Sequence, residues 1–261
     1  MGDGAETGQA QETPKQSDET LRIAAVIPAL NEAPSIGQVV RGLRSQTGTI
    51  LSQIIVVDNG SSDDTAAIAR EAGALVVTEP RRGYGYACLA GVMAADADIV
   101  VLLDGDAADD PTDIQAVVGP VLAGTADLVV GSRSRGALEP GAMTPVQIFG
   151  NWLAATIMRQ LYGVAVTDLG PFRAIRRADL LALEMRELTY GWSVEMMVKA
   201  ARAGLRYHEV TVSYRRRIGV SKVSGTLAGS VRAGWCILAT TFRYWRWSPL
   251  KPLAGTPAVA S

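Results

Sequence analysis

The residues best suited to chemistry are two carboxylates one position apart, Asp104 and Asp106, with a glycine between them. Such a pair can grip a hard divalent cation, Mg²⁺ or Mn²⁺, and leave other coordination positions for diphosphate oxygens. The pair follows an apolar run, Ile99 to Leu103, and open α/β sheets place ligands at the carboxyl ends of their strands. The sequence therefore predicts a cation site here. A solvated acidic loop is the alternative, because further aspartates follow and aspartate is common in turns.

Five short apolar runs predict the elements that would position this site. Each run is separated from the next by a segment with the pattern of a helix or turn, and this alternation predicts a parallel sheet. The runs span Arg22 to Ile27, Gln53 to Val57, Ala74 to Val77, Ile99 to Leu103 and Leu128 to Val130. One crossover helix is predicted to follow Pro34. A second is predicted to take its N-cap from Asp63–Thr65 and to end near Gly73.

A later apolar period from Val194 to Ala201 predicts another helix, which ends at Gly204. The alternating stretch from Leu205 to Tyr214 then predicts a late strand. These patterns indicate an α/β fold with a Rossmann-like, mostly parallel mixed sheet flanked by helices. We expect one domain over residues 21–247, a polar disordered tail over residues 1–20 and a flexible tail over residues 248–261.

Composition narrows the classes of protein. The 25 basic and 26 acidic residues nearly cancel, so no overall field favours nucleic acid, and anions must be recognised by local clusters. Cys88 and Cys236 are far apart, which argues against a disulfide framework and a structural zinc site and suits a reducing cytoplasm.

Two more strand ends carry residues suited to a nucleotide. The first apolar run leads into Pro28, Leu30 and Glu32, and the second ends at Asp58. With the later Asp-x-Asp, this combination resembles glycosyltransferase family 2 of the GT-A fold over roughly Leu21 to Trp247. The resemblance implies that Pro28, Leu30 and Glu32 line a nucleoside pocket. It also implies that Asp58 accepts a hydrogen bond from the nucleobase, as a carboxylate does well. Helix capping is the alternative for Glu32 and Asp58.

A basic, glycine-rich stretch, Arg81 to Tyr86, precedes a predicted helix. Its Arg82 and Gly83 would bring a cation beside flexible backbone, which suits phosphate binding at a helix N-terminus. In the family that the sequence resembles, a comparable turn lies over the donor. An ordinary turn before a helix is the alternative.

The second half resembles more specifically the polyprenyl-phosphate sugar transferases, the dolichol-phosphate mannose synthase group. The segments that carry this likeness are Gly131–Arg133, Asp168–Arg173, Arg215–Arg217 and Gly219–Lys222. The resemblance implies that Arg133, Arg173 and Arg217 face the phosphates of donor and acceptor, with Ser221 and Lys222 beside them. Guanidinium forks match phosphate oxygens, and a lysine supplies a point charge. A solvated edge strand is the alternative for the arginine run.

Two positions in the comparison with this group have open interpretations. Glu195 lies in a segment that resembles the one carrying an acidic residue in the group, and its alternative role is to pair with one of the arginines. Ala108 stands where the group usually has a glutamine, two residues after the Asp-x-Asp. We therefore expect metal geometry or donor choice to differ at this position.

Two apolar helices are predicted in the second half of the chain, at Pro145–Val164 and Leu227–Phe242, and neither has the roughly 20 apolar residues of a membrane span. The first fits a buried core helix or a membrane-facing one. The Arg-Tyr-Trp-Arg-Trp stretch from Arg243 suits a lipid headgroup layer, with nucleic-acid stacking as the weaker alternative. We therefore expect peripheral contact with the cytoplasmic face of a membrane and no nucleic-acid partner.

The resemblance implies an inverting, metal-dependent transfer of a hexose from a UDP- or GDP-sugar to a polyprenyl phosphate. A phosphate monoester has a second pKa of about 6, so its oxygen is already an anion and needs no strong general base. The single histidine, His208, is accordingly expected to pack in the core or at a sheet edge. A small soluble phosphorylated acceptor, or a non-catalytic nucleotide-sugar-binding subunit, is the alternative.

Overall fold

The computed structural model of the protein describes residues 21–46, 50–219, 235–236 and 238–249. In these residues the sheet has seven strands. They are β1 (Ile23–Ala29), β2 (Gln53–Asp58), β3 (Leu75–Thr78), β4 (Ile99–Leu102), β5 (Leu128–Ser132), β6 (Arg173–Arg176) and β7 (Tyr207–Thr211). Their spatial order is β3-β2-β1-β4-β6-β5-β7. Adjacent strands are parallel except that β6 runs antiparallel to both of its neighbours.

The sheet confirms the predicted α/β architecture. All five apolar runs form strands, and the late strand is shorter than predicted, covering Tyr207–Thr211. The sequence pattern does not predict β6, because this strand has only four residues and an arginine at each end. Its insertion between β4 and β5 pairs Arg173 with Leu102 and Arg176 with Ile99, which gives the sheet its mixed character.

Helices cover both faces of the sheet. They are α1 (Ile36–Gln46), α2 (Thr65–Glu71), α3 (Tyr84–Ala94), α4 (Ile114–Leu122), α5 (Pro145–Tyr162), α6 (Arg177–Ala182) and α7 (Trp192–Arg202). One core layer contains α1, α2 and α4, and the other contains α3, α6 and α7. At the start of α2, the Asp63 carboxylate accepts from the amide of Thr65 at 3.1 Å, whereas Asp64 makes no capping bond. Of the predicted caps, Asp63 is therefore the one that acts.

Helix α5 divides into an exposed half and a packed half. It begins at a capping box formed by Thr144 and Gln147 and ends at a left-handed glycine. Phe149 and Trp152 are 61% and 57% exposed, and their rings lie 5.8 Å apart. Further along, small side chains and the fully buried Met158 pack against α7. The core interpretation of this helix holds for its second half only.

Several predictions fall outside the described residues. They are the tail at residues 1–20, the tail from residue 250, the part of the C-terminal helix at residues 227–234, and the pair Ser221 and Lys222. Within the residues that are described, no helix is both long and apolar enough to cross a membrane.

A glycine sets the distance of α3 from the sheet. A Cβ at Gly91 would lie 2.3 Å from a methyl of Val26 and 2.9 Å from a methyl of Val57, both in buried strands. We predict that Gly91→Ala lowers the free energy of unfolding by about 1–3 kcal/mol, because overpacking displaces α3 from β1 and β2. Urea denaturation measures this loss.

The matched control is Gly119→Ala in α4. A Cβ there would meet no atom of the described residues within 4 Å, so the intrinsic helix preference of alanine applies, a gain of up to about 1 kcal/mol. A loss of stability at both positions would show that α3 packing is not the cause at Gly91.

Candidate active site

The carboxyl ends of β1, β2 and β4 meet at one edge of the sheet. Ala29 at the end of β1 is in register with Asp58 at the end of β2, and Asp104 follows β4 closely. Loop contacts join these ends, since the amide of Glu32 donates to Thr65 at 2.8 Å. Ser35 then links the β1 loop to the acidic loop through a 2.8 Å bond from its hydroxyl to the Gly105 carbonyl. The residues predicted to bind the nucleotide therefore lie together at the carboxyl end of the sheet.

The acidic loop, which comprises residues 103–110 after β4, brings several carboxyl groups together where water has little access. Burial, followed by repulsion from Asp106, raises the pKa of Asp104 to about 6. The Oδ1 atom of Asp104 is buried and has no hydrogen-bond partner among the described residues. Asp106 is 5% exposed, and it accepts from the Ala108 amide at 3.0 Å and pairs with Arg217 at 3.1 Å.

This pair of carboxylates fits a hard divalent cation. An unpartnered buried carboxylate oxygen beside a second carboxylate is a suitable donor set for Mg²⁺ or Mn²⁺. No group of three or more His, Cys, Asp or Glu side chains in the described part of the chain could enclose a metal. Asp104 and Asp106 would therefore need further oxygens, as a bound diphosphate can supply.

Asp109 is a third acid of the loop that the sequence did not single out. It is 2% exposed, and its Oδ2 accepts from the amide of Asp104 at 3.4 Å. Burial, followed by repulsion from Asp104, raises the pKa of Asp109 to about 8. In sequence it looks like one of several loop aspartates, and only tertiary burial distinguishes it.

The arginine run reaches the acidic loop through backbone pairing. The amide of Arg215 donates to the Ala108 carbonyl, and the amide of Ile218 donates to the Asp106 carbonyl, both at 2.8 Å. This pairing places Arg217 on Asp106. The side chain of Ala108 is a buried methyl group. The hydrogen bonds at this position are therefore made by the backbone, to Arg215 and Asp106.

The other two predicted arginines have different surroundings. Arg133 forms a bidentate pair with the fully buried Asp168 at 2.7 and 2.9 Å, and it lies over the ring of Tyr214. Arg173 is 1% exposed and donates to backbone carbonyls, including that of Ser193 at 3.0 Å. The expectation from resemblance was a phosphate contact, whereas the structure shows Arg173 organising the turn before β6 and the start of α7.

Glu195 lies in a buried ion pair within α7 rather than at the carboxyl end of the sheet. Its carboxylate is 2.7 Å from the Lys199 ammonium, and both side chains are fully buried. The same carboxylate accepts from the amides of Arg186 and Glu187. The ionic partner of Glu195 is therefore a lysine, where the sequence suggested an arginine.

The glycine-rich stretch forms a tight turn against residues 187–188. Gly83 has φ 154°, and a Cβ there would lie 2.5 Å from the Leu188 carbonyl oxygen. Arg82 donates to the Gly60 carbonyl at 2.9 Å, which connects the turn to the end of β2. Tyr84 is the first residue of α3 and lies close to Asp104: burial, followed by the charge of Asp104, raises the pKa of the Tyr84 hydroxyl. Nothing in the sequence pattern predicts a role for Tyr84.

The remaining predicted residues are partly accessible or fall outside the description. Pro28 and Leu30 are half-buried at the end of β1, and the half-buried Asp58 accepts from the Ser61 amide at 3.1 Å. Ser221 and Lys222 lie outside the described residues. His208 is exposed on β7, the edge strand of the sheet, which agrees with the expected edge position.

The acidic pair follows one strand, and the residues predicted to bind a nucleotide follow two neighbouring strands. Open α/β sheets bind their ligands at the carboxyl ends of the strands in this way. Residues 24–183 match the family model described as glycosyl transferase family 2. The chain belongs to this family and is a glycosyltransferase.

Individual relatives indicate the range of the family. An uncharacterized glycosyltransferase of Mycobacterium tuberculosis is 40% identical over 213 residues, 81% of this chain and 94% of the relative. A dolichyl-phosphate hexose transferase of Haloferax volcanii is 32% identical over 209 residues, 80% and 89% of the two chains. Glucosyl-3-phosphoglycerate synthase from Mycobacterium tuberculosis, solved with Mn²⁺, UDP and phosphoglyceric acid, gives a TM-score of 0.70 at 25% identity, covering 92% of this chain and 80% of that one. The GT-A fold follows from such structural neighbours.

We predict that the raised pKa of Asp109 makes stability depend on pH. Between its ordinary pKa of 3.8 and about 8, the folded protein binds more protons at this group than the unfolded chain. The free energy of unfolding therefore falls as pH rises, by at most about 1.4 kcal/mol per pH unit. Asp109→Asn removes the titrating group, so urea denaturation in chelator should show a flatter fall between pH 6 and 8. Equal slopes in the two proteins would contradict this assignment.

Proposed function

We propose that the protein transfers a hexose, with inversion, from a UDP- or GDP-sugar to a polyprenyl phosphate, with the help of Mg²⁺ or Mn²⁺. The observation that carries the proposal is the pair Asp104 and Asp106, with a buried, unpartnered oxygen on Asp104, at the carboxyl end of the sheet, where Asp58 also lies. A bound cation would neutralise the leaving diphosphate. The resemblance to a dolichyl-phosphate hexose transferase supports a lipid phosphate as the acceptor.

We assign a different part of the donor to each group of residues at the carboxyl end of the sheet. Asp58 accepts a hydrogen bond from the nucleobase, while Pro28, Leu30 and Glu32 line the nucleoside pocket. Arg82 and Gly83 lie over the diphosphate, next to the N-terminus of α3. Asp104 and Asp106 hold the cation. The contact of Arg82 with the Gly60 carbonyl supports the proposed place of this turn beside the end of β2.

The chemical step needs positioning and charge neutralisation more than proton transfer. The acceptor phosphate oxygen is an anion near neutral pH, so it forms its bond to the anomeric carbon directly. The bond from that carbon to the diphosphate breaks, and the diphosphate leaves with the electron pair. Arg217, Ser221 and Lys222 bind the acceptor phosphate, and Arg133 is held ready by Asp168. Arg173 keeps the turn that carries Asp168 in place.

The exposed half of α5 favours a lipid acceptor. Val146, Ile148, Phe149 and Trp152 are about half exposed or more, and such a cluster suits a membrane interface. Trp245 is 50% exposed as well. Trp247 was also expected at the interface, but it packs against the Lys199 ammonium at 5.1 Å. Contact with the cytoplasmic membrane surface is therefore assigned to α5 and Trp245.

A small soluble phosphorylated acceptor is the second candidate. It is supported by the structural similarity to glucosyl-3-phosphoglycerate synthase, whose crystal structure contains phosphoglyceric acid. The same arginines would then bind the phosphate of a soluble molecule, and the donor half of the site would be unchanged.

We predict that sugar transfer requires a divalent cation and that Asp106→Asn lowers the transfer rate at least a hundredfold, because the change removes one cation ligand. The variant also loses its ion pair with Arg217, so its circular dichroism spectrum is compared with that of the wild type to establish that it is folded. Transfer from radiolabelled UDP- and GDP-hexoses, with Mn²⁺ or excess chelator, measures the effect. The matched control is Asp96→Asn, in an exposed pair with Arg22 at the opposite end of β4, which should keep wild-type activity. Full activity in chelator would exclude the metal role.

A second prediction separates the two acceptors. Trp152→Glu should weaken flotation with anionic vesicles and raise the KM for a prenyl phosphate, because it places a charge on the exposed face of α5. Leu75→Glu is the matched control, since Leu75 is 51% exposed on β3 at the opposite edge of the sheet. Wild-type binding should weaken at high salt. Equal turnover of soluble phosphates, with no flotation at low salt, would establish the soluble acceptor instead.

A further inference from the structure

Asn59 is a buried polar residue at the carboxyl end of the sheet, and the roles proposed so far do not use it. It follows Asp58 directly and is 5% exposed. Its own amide donates to the Ala29 carbonyl at 2.9 Å, which fixes the residue at the junction of β1 and β2. A buried amide side chain needs hydrogen-bond partners, and those of Asn59 all lie in one turn.

The side chain of Asn59 holds the turn between β3 and α3 at three points. Its Nδ2 donates to the carbonyls of Glu79 at 2.9 Å and Arg81 at 2.8 Å. Its Oδ1 accepts from the amide of Gly83 at 2.8 Å. Both donor hydrogens and the acceptor oxygen are therefore used on consecutive parts of one turn.

The turn carries groups that face the proposed donor site. Arg82 and Gly83 lie in it, and Tyr84, which lies close to Asp104, follows at the start of α3. Residues 187–188 hold the other side of the turn, since the Tyr86 amide donates to the Leu188 carbonyl at 3.1 Å. Asn59 thus ties the turn to the strand ends from within the protein, beside the exposed contact of Arg82 with the Gly60 carbonyl.

We propose that Asn59 is a positioning residue for the donor: its amide side chain fixes the Arg81–Tyr84 turn against the ends of β1 and β2, so that the turn and the N-terminus of α3 meet the diphosphate in one geometry. The inference rests on the proposed function, because the donor site belongs to it. Asn59 acts through the backbone of the turn and touches no reacting atom. Its loss should therefore weaken binding of the nucleotide diphosphate and spare the acceptor.

We call the three hydrogen bonds from the Asn59 side chain to residues 79–83 the clamp. Two variants test it. Asn59→Asp keeps the size of the side chain and the acceptor for the Gly83 amide, but turns an oxygen toward two carbonyls. Asn59→Ala removes the side chain without adding charge. Asn59→Asp loses two buried hydrogen bonds and Asn59→Ala loses three. Either change should weaken UDP binding about ten- to hundredfold, because each unsatisfied group of the turn carries a desolvation cost. Calorimetry with UDP and Mn²⁺, with GDP in parallel, measures the dissociation constants.

Asn151 offers a matched control. It also clamps a turn, donating from Nδ2 to the Thr167 carbonyl at 3.2 Å and accepting from the Leu169 amide at 3.0 Å. Asn151→Asp makes the same chemical change in the other half of the protein. It should leave UDP binding within about twofold of wild type, so any general effect of the substitution on folding would be visible in both proteins.

Hydrogen exchange of residues 79–86, without any ligand, separates the clamp from the donor site. We expect at least tenfold faster exchange in the Asn59 variants, unchanged exchange in Asn151→Asp, and an unchanged KM for the acceptor. Unchanged protection of the turn, or faster exchange with unchanged UDP affinity, would overturn the proposal. If Asn59→Asp does not fold, Asn59→Ala decides. Wild-type protein that binds neither UDP nor GDP would overturn the proposed function, while hydrogen exchange would still report on the clamp.

Discussion

The rest of the structure depends on keeping three carboxyl groups close together at the end of β4. Asp106 and Asp109 are almost fully buried, and burial raises the pKa of both Asp104 and Asp109. Like charges in a low-dielectric site repel strongly, so the fold must supply positively charged side chains. It does so through the pairing of Arg217 with Asp106, which follows from the antiparallel contact of residues 214–218 with the acidic loop. The C-terminal half thereby completes a site that the N-terminal strands begin.

The turn proposed to bind the donor is built from close backbone contacts that a side chain would block. Gly83 and Gly85 lie so close to residues 187–188 that a Cβ at either would be within 2.7 Å of backbone atoms. The segment that they approach is held by the buried carboxylate of Glu195, which also pairs with Lys199. The Glu195–Lys199 pair therefore supports the turn that is proposed to lie over the donor. Breaking a buried pair by removing one partner is costly, which makes this support rigid.

The sequence predicts those parts of the molecule whose physical cause is local. Periodic apolar residues identify the five N-terminal strands, α1 and α7, because burial on one face needs no knowledge of the partner. Strand β6 is missed, since four residues between arginines become a strand only by pairing with β4 and β5. Tyr84, Asp109 and Asn59 are missed for a related reason. Each is a single polar residue whose role depends on contacts that the folded chain brings together.

The two halves of the site differ in how they are held. On the proposed donor side, strand register and loop hydrogen bonds fix the positions of Asp58, Asn59 and Asp104, and a change there affects the sheet itself. On the proposed acceptor side, the exposed half of α5 presents Phe149 and Trp152, and these contribute little to the core. Substitution on such a face changes what it binds at little cost in stability. A family with this arrangement can keep one donor chemistry and serve both lipid and soluble acceptors, as the names of the two characterised relatives illustrate.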